Sequence, residues 1–189
     1  MFSLDKLTDL AHNFMAAHIK AGDRVIDATA GNGHDTLFLA GVVGPSGLVY
    51  AFDIQKTALR ETAARLKDFG FTDRVVLLQK GHETLSEYAE PPVSAVMYNL
   101  GYLPGGDKEI TTSAESSLTS IKEALKILSP GGMLSIIAYS GHESGKKERD
   151  ALMAYCSALD PHKFKAVQLT ILNRKNEPPE LLLLQKSYF

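Results

Sequence analysis

The chain has 189 residues, 44% of them hydrophobic and 22% charged, with a formal net charge of −2. This composition predicts one soluble globular domain over 1–189, large enough for a sheet covered on both faces. No apolar run reaches the roughly 20 residues of a membrane span, the polar, amphipathic N-terminus lacks the form of a signal peptide, and the single Cys156 excludes an intrachain disulfide. A cytoplasmic location and no membrane partner are therefore expected.

Leu4, Leu7, Leu10, Ala11, Phe14 and Ala17 recur at helical spacing and predict an amphipathic helix over 4–20. Strand one is expected at about 24–28 and strand two at about 47–53, with a short helix from about 35 between them. A helix near 55–69 stopped by Gly70, a strand near 74–79, a short helix near 83–89 and a strand at 93–99 follow. Thr112 and Glu115 form a possible capping box for a helix running to Leu128. Pro130-Gly131-Gly132 ends that helix and feeds an apolar strand at 133–139, before a helix near 145–158 that holds Cys156 as a buried, inert thiol. The last strands, about 163–172 and 180–186, are joined by Asn-Arg-Lys-Asn-Glu-Pro-Pro, too short for a helical crossover, so they should pair antiparallel.

Two segments carry the chemistry. Val25-Ile26-Asp27-Ala28-Thr29-Ala30-Gly31-Asn32-Gly33-His34-Asp35-Thr36 reads as a buried strand, a tight Gly-containing turn and a helix start. Val49-Tyr50-Ala51-Phe52-Asp53-Ile54-Gln55 is a second apolar strand ending on an acid, 22 positions after Gly31. Such a layout forms a nucleotide-type cofactor site on a parallel sheet, with glycines allowing close backbone approach and the acid holding both ribose hydroxyls. Thr36 stands where a dinucleotide fingerprint has its third glycine, which favours S-adenosyl-L-methionine over a nicotinamide. The loop 29–35 would face the methionine portion, and Asp27 its amino group, directly or through water. Asn32, Asp35 and Thr36 are polar candidates in the same turn, Asp35 being equally readable as the helix N-cap. Ile54 and Gln55 would flank the adenine. His82 and Glu83 follow strand three, where resemblance to S-adenosyl-L-methionine-dependent methyltransferases implies an acid near the adenine amino group; histidine there departs from that pattern, and capping or a surface role is the alternative for His82.

Asn99-Leu100-Gly101-Tyr102 ends strand four, facing the expected methyl donor. It resembles the Asn-Pro-Pro-Tyr motif of methyltransferases acting on amino nitrogens of nucleobases. Asn99 Oδ1 and the Leu100 carbonyl would accept the protons of an amine aligned for attack, and Tyr102 would stack on a flipped-out base. The plainer alternative is that Asn99 and Gly101 shape a turn. The Gly/Pro-rich stretch 103–108 suits a lid or a substrate contact. His142, after strand five, is a candidate proton acceptor and equally a structural histidine. The six histidines show no metal-ligand spacing, so no metal is expected. Lys146, Lys147 and Arg149, and Lys163, Lys165, Arg174 and Lys175, are candidate basic patches, each also readable as a solvated face.

Alternating strands and helices closing on an antiparallel hairpin suit the α/β, Rossmann-like fold of class I methyltransferases: a seven-stranded, mostly parallel sheet with helices on both faces. Asp-Ala-Thr-Ala-Gly-Asn-Gly-His-Asp-Thr, Ala-Phe-Asp-Ile-Gln, Asn-Leu-Gly-Tyr-Leu-Pro-Gly-Gly-Asp-Lys and Tyr-Ser-Gly-His-Glu-Ser-Gly together resemble, over nearly the whole chain, a family of small bacterial methyltransferases formerly labelled "putative rRNA methylase". The resemblance implies S-adenosyl-L-methionine as cofactor and tRNA, at its anticodon stem-loop, as partner. The implied reaction methylates the amine of 5-aminomethyl-2-thiouridine at wobble position 34. Three alternatives stay open on the residues: an rRNA base N-methyltransferase, a small-molecule amine methyltransferase, and a cofactor-binding module without catalysis. A homodimer is a possible assembly.

Overall fold

The computed structural model describes residues 6–101, 111–141, 143–174 and 178–188. In chain order its elements are α1 (Leu7–His18), β1 (Arg24–Asp27), α2 (His34–Val43), β2 (Leu48–Phe52), α3 (Lys56–Phe69), β3 (Val75–Leu78), α4 (Leu85–Tyr88), β4 (Val93–Asn99), α5 (Ala114–Ile127), β5 (Leu128–Ala138), α6 (Glu143–Ser157), β6 (Phe164–Leu169) and β7 (Glu180–Lys186). Short 3₁₀ turns at Thr72–Arg74 and His82–Thr84 precede β3 and α4.

The strands form one seven-stranded sheet in the order β3-β2-β1-β4-β5-β7-β6. Strands β1 to β5 pair in parallel, and β7 runs antiparallel to both β5 and β6. The order reverses between β1 and β4, which opens a crevice beyond their carboxyl ends; open α/β sheets bind ligands there. The expected hairpin is present, with Leu169 opposite Leu181 across the β6–β7 pair.

Side chains alternate between two cores. Ile26, Val96, Tyr98, Leu182 and Leu184 pack with α4, α5 and α6, and Val25, Ala95, Met97, Leu181 and Leu183 pack with α1, α2 and α3. Burial on both faces explains why the central strands read as continuous apolar runs. The edge strand β6 is mostly exposed, with Val167 half accessible at 50%.

Local chemistry corrects the expected boundaries in four places. The capping box of α5 is formed by Ser113 and Ser116, not by Thr112 and Glu115. Thr112 instead spends its hydroxyl on Gly101 and Glu148. Pro130-Gly131-Gly132 does not separate helix from strand: β5 starts at Leu128, and the segment bulges between the Val93–Leu128 and Ala95–Met133 pairs, with Gly131 at φ +77°. Helix α2 is capped by Gly33 at φ +80°, two residues before Asp35. Strand β6 stops at Leu169 because its partner β7 reaches only to Glu180; a turn at Ile171–Arg174 follows. Gly70 closes α3 in the left-handed conformation, as expected.

Candidate active site

The central strands end side by side in the order β2, β1, β4, and each delivers one polar group to the crevice. Asp27 is the last residue of β1 and is fully buried. Its carboxylate accepts from the Thr29 amide at 3.1 Å and from the Thr36 hydroxyl at 2.5 Å. Burial pushes this carboxyl up to about 7, the Asp35 and Asp53 carboxylates push the same way, and the two hydrogen bonds oppose them. Thr36, also fully buried, thus braces Asp27 from below.

The turn after β1 is held from three sides. Gly33 donates to the Ala30 carbonyl at 2.8 Å, the Thr62 hydroxyl donates to the Gly31 carbonyl at 2.9 Å, and Arg65 Nε donates to the Asn32 carbonyl at 2.8 Å. Gly31 sits at φ +50°. A Cβ on Gly33 would lie 2.8 Å from Thr62 Cα, so this glycine is required both by its backbone conformation and by the approach of α3.

Asp53, half-buried beyond β2, accepts from Gly31 N–H at 2.9 Å on one oxygen and from Gln55 N–H at 2.8 Å on the other. An ionised carboxylate has about four lone-pair sites, so each oxygen retains capacity for a ribose hydroxyl. Ile54 beside it is 57% exposed, an apolar surface of the kind a nucleobase covers. Gln55 is half-buried.

Asp35 does not cap α2. It is buried and binds His12 Nε2 of α1 at 2.6 Å, and that imidazole stacks on Phe38 at 3.9 Å. His82 is also buried, at 8% exposure, which rules out the surface role. Its ring meets Tyr98 edge-on at 5.9 Å, its carbonyl accepts from the Ser120 hydroxyl, and burial lowers its pKa despite an opposing hydrogen bond to the Ala28 backbone. The imidazole therefore supports the turn between Asp27 and Thr29 from behind. Glu83 is exposed, with its carboxylate lying back over Gly81.

Asn99 ends β4, half-buried, and its backbone N–H donates to the Thr29 hydroxyl at 2.8 Å, locking the β4 end to the β1 turn. Leu100 is buried and donates its amide to the Ile137 carbonyl at 2.9 Å. Tyr102 and His142 lie outside the described residues. Cys156 is buried and its thiol is pushed up to about 11 by that burial, in line with an inert core residue. Among the described residues no group of His, Cys, Asp or Glu is arranged to hold a metal, and no helix is long and apolar enough to cross a membrane.

The assembled crevice has the chemistry for a cationic nucleoside. Asp53 lies half-buried at its edge, Asp27 and Asp35 are buried behind it, and the repulsion of Asp35 and Asp53 is felt at Asp27. A ligand carrying net positive charge relieves that repulsion, a ribose diol matches Asp53, and an adenine matches Ile54. These features fit S-adenosyl-L-methionine, which bears an ammonium and a sulfonium against one carboxylate. His12, Thr62, Arg65 and Glu148 have no signature in the sequence, because their contacts join residues 23 to 36 positions apart.

Known proteins share this fold. A putative rRNA-methylase from Clostridium thermocellum superposes with a TM-score of 0.95 at 37% identity, over 97% of this chain and 99% of that one. A putative methyltransferase from Streptococcus mutans, solved in complex with SAH, gives 0.89 at 36% identity over 97% and 99%. The chain is 36% identical over 98% of its length to the chloroplastic tRNA (mnm(5)s(2)U34)-methyltransferase of Arabidopsis thaliana, spanning 72% of that protein. Residues 49–185, from β2 to β7, match the model of the family described as "Putative rRNA methylase", and the chain belongs to that family.

Proposed function

We propose that the protein is an S-adenosyl-L-methionine-dependent tRNA methyltransferase acting on the aminomethyl nitrogen of 5-aminomethyl-2-thiouridine at position 34 of the anticodon stem-loop. The observation that carries the reading is the position of Asn99-Leu100 at the carboxyl end of β4, at the crevice and one strand over from Asp27. The near-full-length relative that is a tRNA (mnm(5)s(2)U34)-methyltransferase supports the substrate.

The cofactor, when bound, supplies a methyl group on a sulfonium centre that a neutral amine displaces in line. The chain's own residues do the rest. Asp53 holds the ribose, Gly31, Asn32 and Gly33 offer backbone to the methionine portion, Asp27 and Asp35 maintain a negative potential, and Ile54 and Gln55 flank the base with His82 and Glu83 nearby. Asn99 Oδ1 and the Leu100 carbonyl accept protons from the substrate nitrogen and orient its lone pair, which is mainly positioning work. The substrate amine is largely protonated at neutral pH, so acceptors that favour its neutral form raise the reactive fraction; Tyr102 and His142 are proposed to stack on the base and to take the proton. The proposed location is the cytoplasm and the proposed assembly a homodimer, which would widen the RNA-binding face.

The test is transfer from labelled S-adenosyl-L-methionine to tRNA from cells lacking this protein, followed by nucleoside mass spectrometry. A one-methylene mass gain on 5-aminomethyl-2-thiouridine is expected. Asn99→Ala should lower that transfer by two or more orders of magnitude while cofactor affinity changes less than about threefold, since its loss removes transition-state positioning. Label entering rRNA or a small amine instead would overturn the substrate and leave the cofactor reading in place.

A further inference from the structure

A buried carboxylate sits behind the Asn99–Gly101 segment without contacting the crevice. Glu148 of α6 is 3% exposed. Its Oε2 accepts from the Thr112 hydroxyl at 2.8 Å and its Oε1 from the Ser117 hydroxyl at 2.6 Å. The Thr112 oxygen in turn accepts from Gly101 N–H at 3.0 Å, and Thr112 N–H donates back to the Gly101 carbonyl at 3.2 Å.

Taking the Leu100 carbonyl as an acceptor for the substrate amine, as the proposed function does, we infer that Thr112 and Glu148 are positioning residues that aim this carbonyl. A hydroxyl has one proton. With that proton committed to Glu148, the Thr112 oxygen presents only lone pairs to Gly101, and the chain N–H···O–H···carboxylate is polarised in one direction. Gly101 N–H and the Leu100 carbonyl belong to a single rigid peptide plane. Fixing the amide toward Thr112 fixes the carbonyl in the opposite direction. The preceding plane is held as well, through Leu100 N–H on the Ile137 carbonyl, so Leu100 is clamped on both sides. Gly101 needs this support because its φ of +137° is outside the range ordinary residues occupy.

A bland alternative is that Glu148 merely ties α5 to α6. Ser117 separates the two, since it donates to the same carboxylate and makes no contact with Gly101. In single-turnover assays on tRNA, Thr112→Val should lower methyl transfer at least thirtyfold with cofactor affinity within twofold. Thr112→Ser should restore the rate to within threefold of wild type. Ser117→Ala should leave the rate within twofold whatever it does to the melting temperature. Amide exchange at Gly101, followed by NMR without substrate, should accelerate at least tenfold in Thr112→Val and stay unchanged in Ser117→Ala.

A Thr112→Val enzyme with wild-type rate, or equal losses in Thr112→Val and Ser117→Ala, would overturn the positioning role. Absence of transfer by the wild type would overturn the proposed function and with it the substrate half of this inference. The Gly101 exchange rates would still decide whether Thr112 holds the peptide.

Discussion

Asp27 is fully buried and Asp53 only half-buried, and that difference decides what each carboxylate contributes. Asp53 keeps solvent-facing lone pairs and two backbone donors, so it stays ready for a neutral diol. Asp27 pays for its burial: its pKa rises from 3.8 to about 7 in the folded protein. Between those values the native state holds more protons than the unfolded chain, so stability falls as pH rises through the window and stays reduced above it. The ionised form is the one that favours a cationic cofactor. Cofactor affinity should therefore increase between pH 6 and pH 8, measured by calorimetry. Asp27→Asn should raise the melting temperature of the free protein most at pH 8 and clearly less at pH 5, partway through the window, while weakening cofactor binding at pH 8 at least tenfold. A melting shift of equal size at both pH values would remove the titration of Asp27 as its cause.

At the scale of elements, the cofactor turn is shaped as much by α3 as by its own glycines. Thr62 and Arg65 hold the Gly31 and Asn32 carbonyls, and Gly33 has no room for a side chain against Thr62. Gly70 offers the matching control: it has a similar φ of +70°, but a Cβ there would meet nothing within 4 Å. Gly70→Ala should cost about 1 kcal/mol, the penalty for placing a side chain in the left-handed region. Gly33→Ala adds a steric clash and should cost a further 1–3 kcal/mol or so, read as the difference in urea midpoints. Equal costs for the two would mean that α3 shifts freely and does not shape the turn. The same dependence on neighbours explains β5, where the Pro130-Gly131-Gly132 stop is carried as a bulge because β4 pairs on either side of it, at Leu128 and at Met133.

For the whole molecule, a net charge of −2 means that RNA must be gripped by local rather than global charge. Lys147 pairs with Glu143, and Arg149 reaches Asp150 and Glu180, so the first basic cluster is largely spent on α6 and its neighbours. Lys165 lies exposed on the edge strand β6 and Lys163 lies exposed just before it. If tRNA is the substrate, its affinity should fall with rising salt, with a log–log slope set by the few phosphates neutralised. Charge reversal at Lys163 and Lys165 should reduce that slope while cofactor affinity holds. A salt-independent interaction would argue for a small-molecule substrate.

Periodicity, Gly placement and the acid after the second apolar strand were enough to place every strand of the sheet, its closing hairpin and the backbone of the cofactor crevice. These are local signals: a strand must alternate or be apolar, a left-handed turn needs glycine, and an acid at a strand end needs a partner. The capping of α5, the pairing of Asp35 with His12, the burial of His82 and the bracing of Asp27 by Thr36 were decided only in three dimensions. Hydroxyls, imidazoles and carboxylates can each choose among several partners, and the choice depends on which groups the sheet order brings within reach. Ser113 outcompetes Thr112 as a cap because Thr112 is claimed by Gly101 and Glu148. The sequence by itself thus determined the frame and the cofactor chemistry, whereas the tertiary structure decided which side chains hold the Asn99–Gly101 segment still, because hydrogen-bond partners are settled by proximity and not by spacing along the chain.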